Sequence, residues 1–131
     1  MLKKTVFLII VMVIALVPTI SLCTEAQNIL FNNSFELTKD GNPTNWVTKT
    51  WINDPGAVEY KIETDNPQSG EKYVSITNNV ENHCRYIQSV LVEENKKYKI
   101  SGYIKTENVS ENGKGANISI ENQITTSKRI K

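Results

Sequence analysis

The run Tyr86-Ile87-Gln88-Ser89-Val90-Leu91-Val92-Glu93, the polar turn Glu94-Asn95-Lys96 and the run Lys97-Tyr98-Lys99-Ile100-Ser101-Gly102-Tyr103-Ile104-Lys105-Thr106 decide how this chain is read. Alternating polar and apolar residues fit strands, whose successive side chains point to opposite faces. A short polar turn between two such runs predicts an antiparallel hairpin with its register fixed by the loop. In the second run Ile100, Gly102 and Ile104 share a face with Tyr98, opposite Lys99, Ser101, Tyr103 and Lys105. In the first, Tyr86, Gln88, Val90 and Val92 oppose Ile87, Ser89 and Leu91, and which of these faces turns inward stays open.

Upstream, similar short runs repeat between turn signals. Asn28 to Phe31, Ser34 to Leu37, Trp46 to Trp51, Val58 to Thr64 and Tyr73 to Thr77 are strand candidates. Between them stand Lys39-Asp40-Gly41-Asn42-Pro43, Asp54-Pro55-Gly56 and Asn66-Pro67-Gln68-Ser69-Gly70, whose Gly and Pro punctuate the chain. In Val58 to Thr64, Val58, Tyr60 and Ile62 alternate with Glu59, Lys61 and Glu63, the pattern of a half-buried strand. Downstream, a loop containing Gly113 and Gly115 leads into Ala116 to Glu121. No apolar stripe at helical spacing competes after residue 26, so the spacing predicts an all-β sandwich or barrel. Beyond Glu121 the sequence offers scattered apolar residues and no closing strand, and the domain, residues 27–131, is expected to be incomplete by one or two strands.

The first 26 residues read differently. Met1-Leu2-Lys3-Lys4 is a basic start and Val6 to Val17 an apolar run within the roughly 7–15 residues of a signal-peptide core, short of the about 20 needed to span a bilayer. The bond after Ala26 is the best cleavage site, which makes residues 1–26 a signal peptide and the remainder secreted or displayed at a cell surface. An uncleaved N-terminal anchor and lipidation at Cys23 are the alternatives; Ile20-Ser21-Leu22-Cys23 resembles a bacterial lipobox with Leu22 where a small residue belongs. Lys in excess of Arg and abundant Asn suit a bacterial exported protein.

Composition excludes several classes. The chain carries 15 Lys and Arg against 14 Asp and Glu, a net +1, with both signs interspersed, which is no electrostatic footprint for nucleic acid. Without the leader, Cys84 is left alone and no internal disulfide forms. His83-Cys84 has no second His or Cys cluster to complete a metal site or a nucleophile pair. Glu36, Glu59 and Glu63 are scattered at strand and loop spacing, and nothing pairs them as the acid and nucleophile of a glycosidase. The expectation is a non-enzyme.

The landmarks, taken in order, carry a resemblance. Asn28-Ile29-Leu30 with Asn32, Ser34, Phe35 and Glu36; Gly41, Pro43 and Trp46; Ser69-Gly70 with Lys72-Tyr73; Tyr86-Ile87-Gln88-Ser89-Val90; and Lys97-Tyr98 through Ser101-Gly102-Tyr103-Ile104-Lys105 together resemble the carbohydrate-binding modules of bacterial xylanases and cellulases over about residues 28 to 121. The resemblance implies a galactose-binding-domain-like jelly roll, a β-sandwich of two antiparallel sheets. It also implies one structural calcium, with Glu36 supplying a carboxylate and the Ser69 to Lys72 loop supplying carbonyls. The late acidic ligand of such a site would come from the final strand, so calcium binding here is expected to be weak or absent. Similar modules occur in large bacterial surface proteins, and fold likeness alone does not carry function.

Sugars are held by flat aromatic faces and by polar side chains that bond the hydroxyls. The aromatic candidates are Trp51, Tyr86 and Tyr103, and the hydroxyl-binding candidates are Arg85 and Gln88 in the family's cleft position. Trp46, beside a Pro turn, is expected to pack inside, and for Trp51 platform and packing stay equally open. The leading expectation is a monomeric, non-catalytic module that binds polysaccharide or oligosaccharide. The competing one is a structural or adhesive spacer of a cell-surface protein that has kept the fold without a sugar cleft.

Overall fold

The computed structural model describes residues 27–121 and 127–131. The expected signal peptide and the segment 122–126 lie outside the described residues.

Where the sequence places Asp40-Gly41, the chain folds tightly back. Both residues take positive φ, 51° and 77°, the geometry of the two-residue hairpin turn that Asp-Gly favours. Strand β1 (Thr38–Lys39) thereby pairs with β2 (Asn42–Pro43). Strand β3 (Val47–Lys49) follows, and after the 50–57 loop comes β4 (Val58–Glu63), which coincides with the alternating run. The turn at Asn66-Pro67 and a left-handed Gly70, φ 70°, bring the chain back as β5 (Tyr73–Asn78). β4 and β5 pair antiparallel along their full length, from Val58 opposite Asn78 to Glu63 opposite Tyr73. Strand β6 (Arg85–Ile87) then crosses back to pair with β3, Lys49 facing Arg85, Thr48 facing Tyr86 and Val47 facing Ile87.

All strands among the described residues are antiparallel and no helix is present there, so the fold is all-β, built from three two-stranded sheets. Tyr60 ties two of them together: its hydroxyl donates to the Lys49 carbonyl at 2.7 Å, joining β4 to the end of β3. The packing that accompanies this bond is aromatic. Phe35 stacks obliquely on Trp46 at 4.9 Å between ring centres and lies 6.3 Å from Tyr86, which meets Tyr60 edge-on at 5.3 Å. Trp46, half-buried, packs on Phe35, and its indole N–H donates to the Asn32 carbonyl at 2.9 Å.

The hairpin expected between Tyr86–Glu93 and Lys97–Thr106 is not formed. β6 ends at Ile87, and residues 88–115 contain turns but no strand. The polar turn is there, with Asn95 at φ 60°, but the Tyr98 hydroxyl accepts the Glu93 N–H at 2.8 Å where a hairpin would place a backbone carbonyl. Leu91 is 98% and Val92 62% exposed, so these apolar residues of the first run stand mostly in water. Likewise Ala116 to Glu121 makes a bridge, Ala116 with Ile130, rather than a strand. Among the described residues the buried apolar side chains are Pro43 and Ala57, and the half-buried aromatic cluster is what serves as the core.

Candidate functional site

Three side-chain amides organise the loops around this cluster, each by bonding both main-chain groups of one other residue, five positions away for Asn32 and 57 and 30 away for Gln88 and Asn82. Asn32, buried and itself at φ 49°, accepts the Leu37 N–H at 2.9 Å and donates to the Leu37 carbonyl at 2.8 Å, with a further bond to the Thr44 carbonyl at 3.0 Å. Gln88 does the same to Phe31, 2.8 Å in both directions, and reaches the Asn45 carbonyl at 3.2 Å. Asn82 does it to Ile52, accepting its N–H at 3.0 Å and donating to its carbonyl at 2.8 Å. In each pair the amide supplies the donor and the acceptor that a neighbouring strand would have supplied.

The Asn82 clamp sets the most exposed tryptophan. Trp51 precedes the clamped residue, and its ring is 78% exposed. It meets the His83 imidazole edge-on at 5.1 Å and 76°. Thr50 Oγ1, on the other side of Trp51, lies 3.2 Å from Cys84 Sγ. Residues 50–52 are thus fastened to 82–84 at both ends of the tryptophan while its ring stands in solvent. Ile52, Asp54, Pro55, Gly56, Ala57 and Val80 line a shallow depression of about 260 Å³. An exposed indole offers a flat apolar face, and the hollow lined by the next residue, Ile52, also includes Asp54, a residue type that can bond hydroxyls.

The other candidates are distributed elsewhere. Tyr86 faces the interior against Phe35 and Tyr60, and burial, reinforced by the neighbouring Tyr60 hydroxyl, pushes its phenol up to about 12. Gln88 is engaged by Phe31 and Asn45. Arg85 alternates to the opposite face of β6 from Tyr86, with its guanidinium 3.5 Å from the Glu121 carboxylate. Tyr103 is 82% exposed on the strandless segment, between two residues, Gly102 and Ile104, that line a separate apolar groove with Tyr98, Ile100, Ile118 and Ile130. The structure therefore leaves Trp51 exposed beside His83, packs Tyr86 against Phe35 and Tyr60, engages Gln88 with the main chain of Phe31 and Asn45, and sets Arg85 on another face and Tyr103 on another segment. Sequence reasoning missed His83 as the partner of Trp51 and Asn82 as its clamp; no local pattern marks either.

Glu36 and the Ser69 to Lys72 loop do meet. Glu36 Oε1 accepts the main-chain N–H of Glu71 at 2.8 Å and of Lys72 at 3.3 Å, and the Lys72 ammonium donates to the Glu36 main-chain carbonyl at 2.8 Å. Calcium takes six to eight oxygen ligands. Here the loop turns N–H donors toward the carboxylate, and an ammonium holds the carbonyl. That arrangement sets three hydrogen-bond donors on two oxygens of Glu36. Ser69, exposed, contributes to none of these three bonds. The two remaining carboxylates singled out in the sequence have neighbours of their own: Glu59 pairs with Lys61 at 3.0 Å and Glu63 accepts from the Ser75 hydroxyl at 3.1 Å.

No family model, no curated protein and no solved structure matches this chain.

Proposed function

We propose that this chain is a non-catalytic, secreted or surface-displayed carbohydrate-binding domain with a jelly-roll-like β-sandwich ancestry, and that Trp51 is its sugar platform. The observation that carries the reading is the exposed Trp51 ring on a loop pinned by the Asn82 clamp. An indole left in water costs hydrophobic free energy, and a loop held at both ends keeps that ring ready for a ligand without further ordering. The hollow lined by Ile52, the residue after Trp51, and by Asp54 supports the reading, since a pyranose calls for apolar surface with a few polar groups.

A second reading, a structural or adhesive spacer, draws on a different observation: Tyr86 and Gln88, two of the cleft candidates, are committed to internal packing and bonding. Affinity electrophoresis of the purified chain through gels containing neutral polysaccharides, with a glycan array and circular dichroism on the same preparation, separates the two. Folded protein retarded by a glycan supports the platform reading. Folded protein retarded by none supports the spacer.

A further inference from the structure

We propose that a reciprocal clasp between Glu36 and Lys72 takes the structural place that calcium holds in the modules this chain resembles, so that the domain is closed by an ammonium ion of its own and does not respond to calcium. The inference stands apart from sugar binding.

The clasp is built in both directions. The side chain of Glu36 bonds the main chain of Lys72 and of Glu71, and the side chain of Lys72 bonds the main chain of Glu36. The two residues are 36 positions apart, so the clasp fastens the segment leading into β1 onto the turn leading into β5. Gly70 makes the fit possible. Its φ of 70° belongs to the left-handed region, and a Cβ at this position would collide with Glu36 Oε1. With the side chain absent, the carboxylate lies directly over the Gly70 backbone, within reach of the two successive N–H groups. Consecutive N–H groups turned to one side form a concave site for negative charge.

A cation cannot share this arrangement as it stands. Glu36 Oε1 faces donors, whose positive ends repel a metal, and the Glu36 carbonyl already accepts from an ammonium. Placing a divalent ion on Glu36 Oε1 and on its carbonyl means displacing Lys72 Nζ and turning the loop's N–H groups away from Oε1, which breaks all three bonds. Between an intramolecular charge that is always present and an ion that must be captured from solution, the first needs no ligand concentration to act. The charge-assisted Lys72 bond is also the stronger kind.

The test is calcium titration of the full chain by calorimetry, with thermal unfolding in chelator and in about 10 mM calcium, above the ~10⁻⁴–10⁻³ M dissociation constants of extracellular modules. An ion that binds the folded state raises its melting temperature by mass action. The expected result is no saturable heat and the same melting temperature in both conditions. Lys72→Met is expected to melt about 4–8 °C lower whether or not calcium is present, and Lys72→Arg to recover part of that loss, because a guanidinium also reaches a carbonyl. Saturable calcium heat with the unchanged protein, a calcium-dependent rise in its melting temperature, or Lys72→Met melting like the unchanged protein would each overturn the proposal. The calorimetric arm requires no variant, so it decides even if Lys72→Met does not fold.

Discussion

Gln88 grips Phe31 by both of its main-chain groups: Nε2 donates to the Phe31 carbonyl at 2.8 Å and Oε1 accepts the Phe31 N–H at 2.8 Å. The same Nε2 reaches the Asn45 carbonyl, so one amide joins the start of the domain, the loop before β3 and the end of β6. Gln88→Leu removes all three bonds and leaves their backbone partners to water at a partly exposed site. A loss of about 2 kcal/mol is expected, since a typical intramolecular hydrogen bond nets ~0.5–1.5 kcal/mol. Gln88→Glu keeps the shape but cannot donate to the two carbonyls, and should lose a comparable amount near neutral pH. Urea unfolding checks both, with a lower midpoint at an unchanged slope.

Asn32 combines the same grip with a strained backbone. Asn tolerates its φ of 49°, and Ala does so less well. Asn32→Ala therefore loses three hydrogen bonds in a buried place and adds backbone strain, for about 3 kcal/mol or more. Asn32→Gly loses the bonds but not the conformation. It should unfold at a higher denaturant concentration than Asn32→Ala, and an equal midpoint for the two would show that the backbone contributes nothing.

These clamps explain how far the fold is legible in the sequence. β4 and β5 are readable because Val58 to Glu63 and Tyr73 to Thr77 alternate between clear turns and lie close enough to pair directly. The Asp40-Gly41 turn is readable because that dipeptide favours the positive φ it adopts. Gln88 looks like one more strand residue in an alternating run, yet its amide bonds a residue 57 positions away, and no strand continues past Ile87. Alternation tells a residue's fitness for a strand, not the presence of a partner. The site behaves likewise. Trp51 is visible as an aromatic in a loop, but its exposure depends on Asn82, 30 positions from the residue that it clamps, and periodicity carries no trace of that contact.

If Trp51 is the platform, affinity and stability separate cleanly between two aromatic residues. Trp51→Ala removes a ring that is mostly in water and should leave the unfolding midpoint nearly unchanged, while glycan affinity falls by about five- to tenfold, the scale of an aromatic contact worth ~1–1.5 kcal/mol. Tyr86→Ala should do the reverse, destabilising through loss of the Phe35 and Tyr60 contacts and weakening binding only in proportion to unfolding. Equal retardation of Trp51→Ala and unchanged protein in the affinity gel would remove Trp51 from the site.

Alkaline pH reads the aromatic cluster directly. Burial, then the neighbouring Tyr60, holds the Tyr86 phenol near 12, and burial followed by Cys84 raises that of Tyr60 as well. In the unfolded chain a tyrosine ionises near ~10. Between these values the unfolded state has lost a proton that the folded state keeps, so stability falls as pH rises from about 10 to about 12 and is insensitive to this group below that window. With part of the ring in water the loss amounts to about 1–2 kcal/mol, less than the full two-unit shift would give. Urea midpoints across this range, compared with those of Tyr86→Phe, isolate the contribution; parallel curves would mean that Tyr86 ionises as freely folded as unfolded.

Backbone pairing, rather than side-chain exposure, should decide where a protease enters. Lys61 and Lys96 both hold their side chains in solvent, 51% and 63% exposed, and each has a nearby glutamate, Glu59 and Glu93. Lys61, however, lies in the middle of the β4–β5 ladder opposite Ser75, whereas Lys96 follows the Glu94–Asn95 turn in the segment without strands. A protease needs an extended stretch of backbone free of its partners, and opening a six-residue ladder costs more than opening a turn. Brief trypsin treatment of the folded chain should therefore cut first at Lys96, Lys97 or Lys99, and at Lys61 only after global unfolding. Early cleavage at Lys61 would mean that the β4–β5 pair is no more stable than the loop.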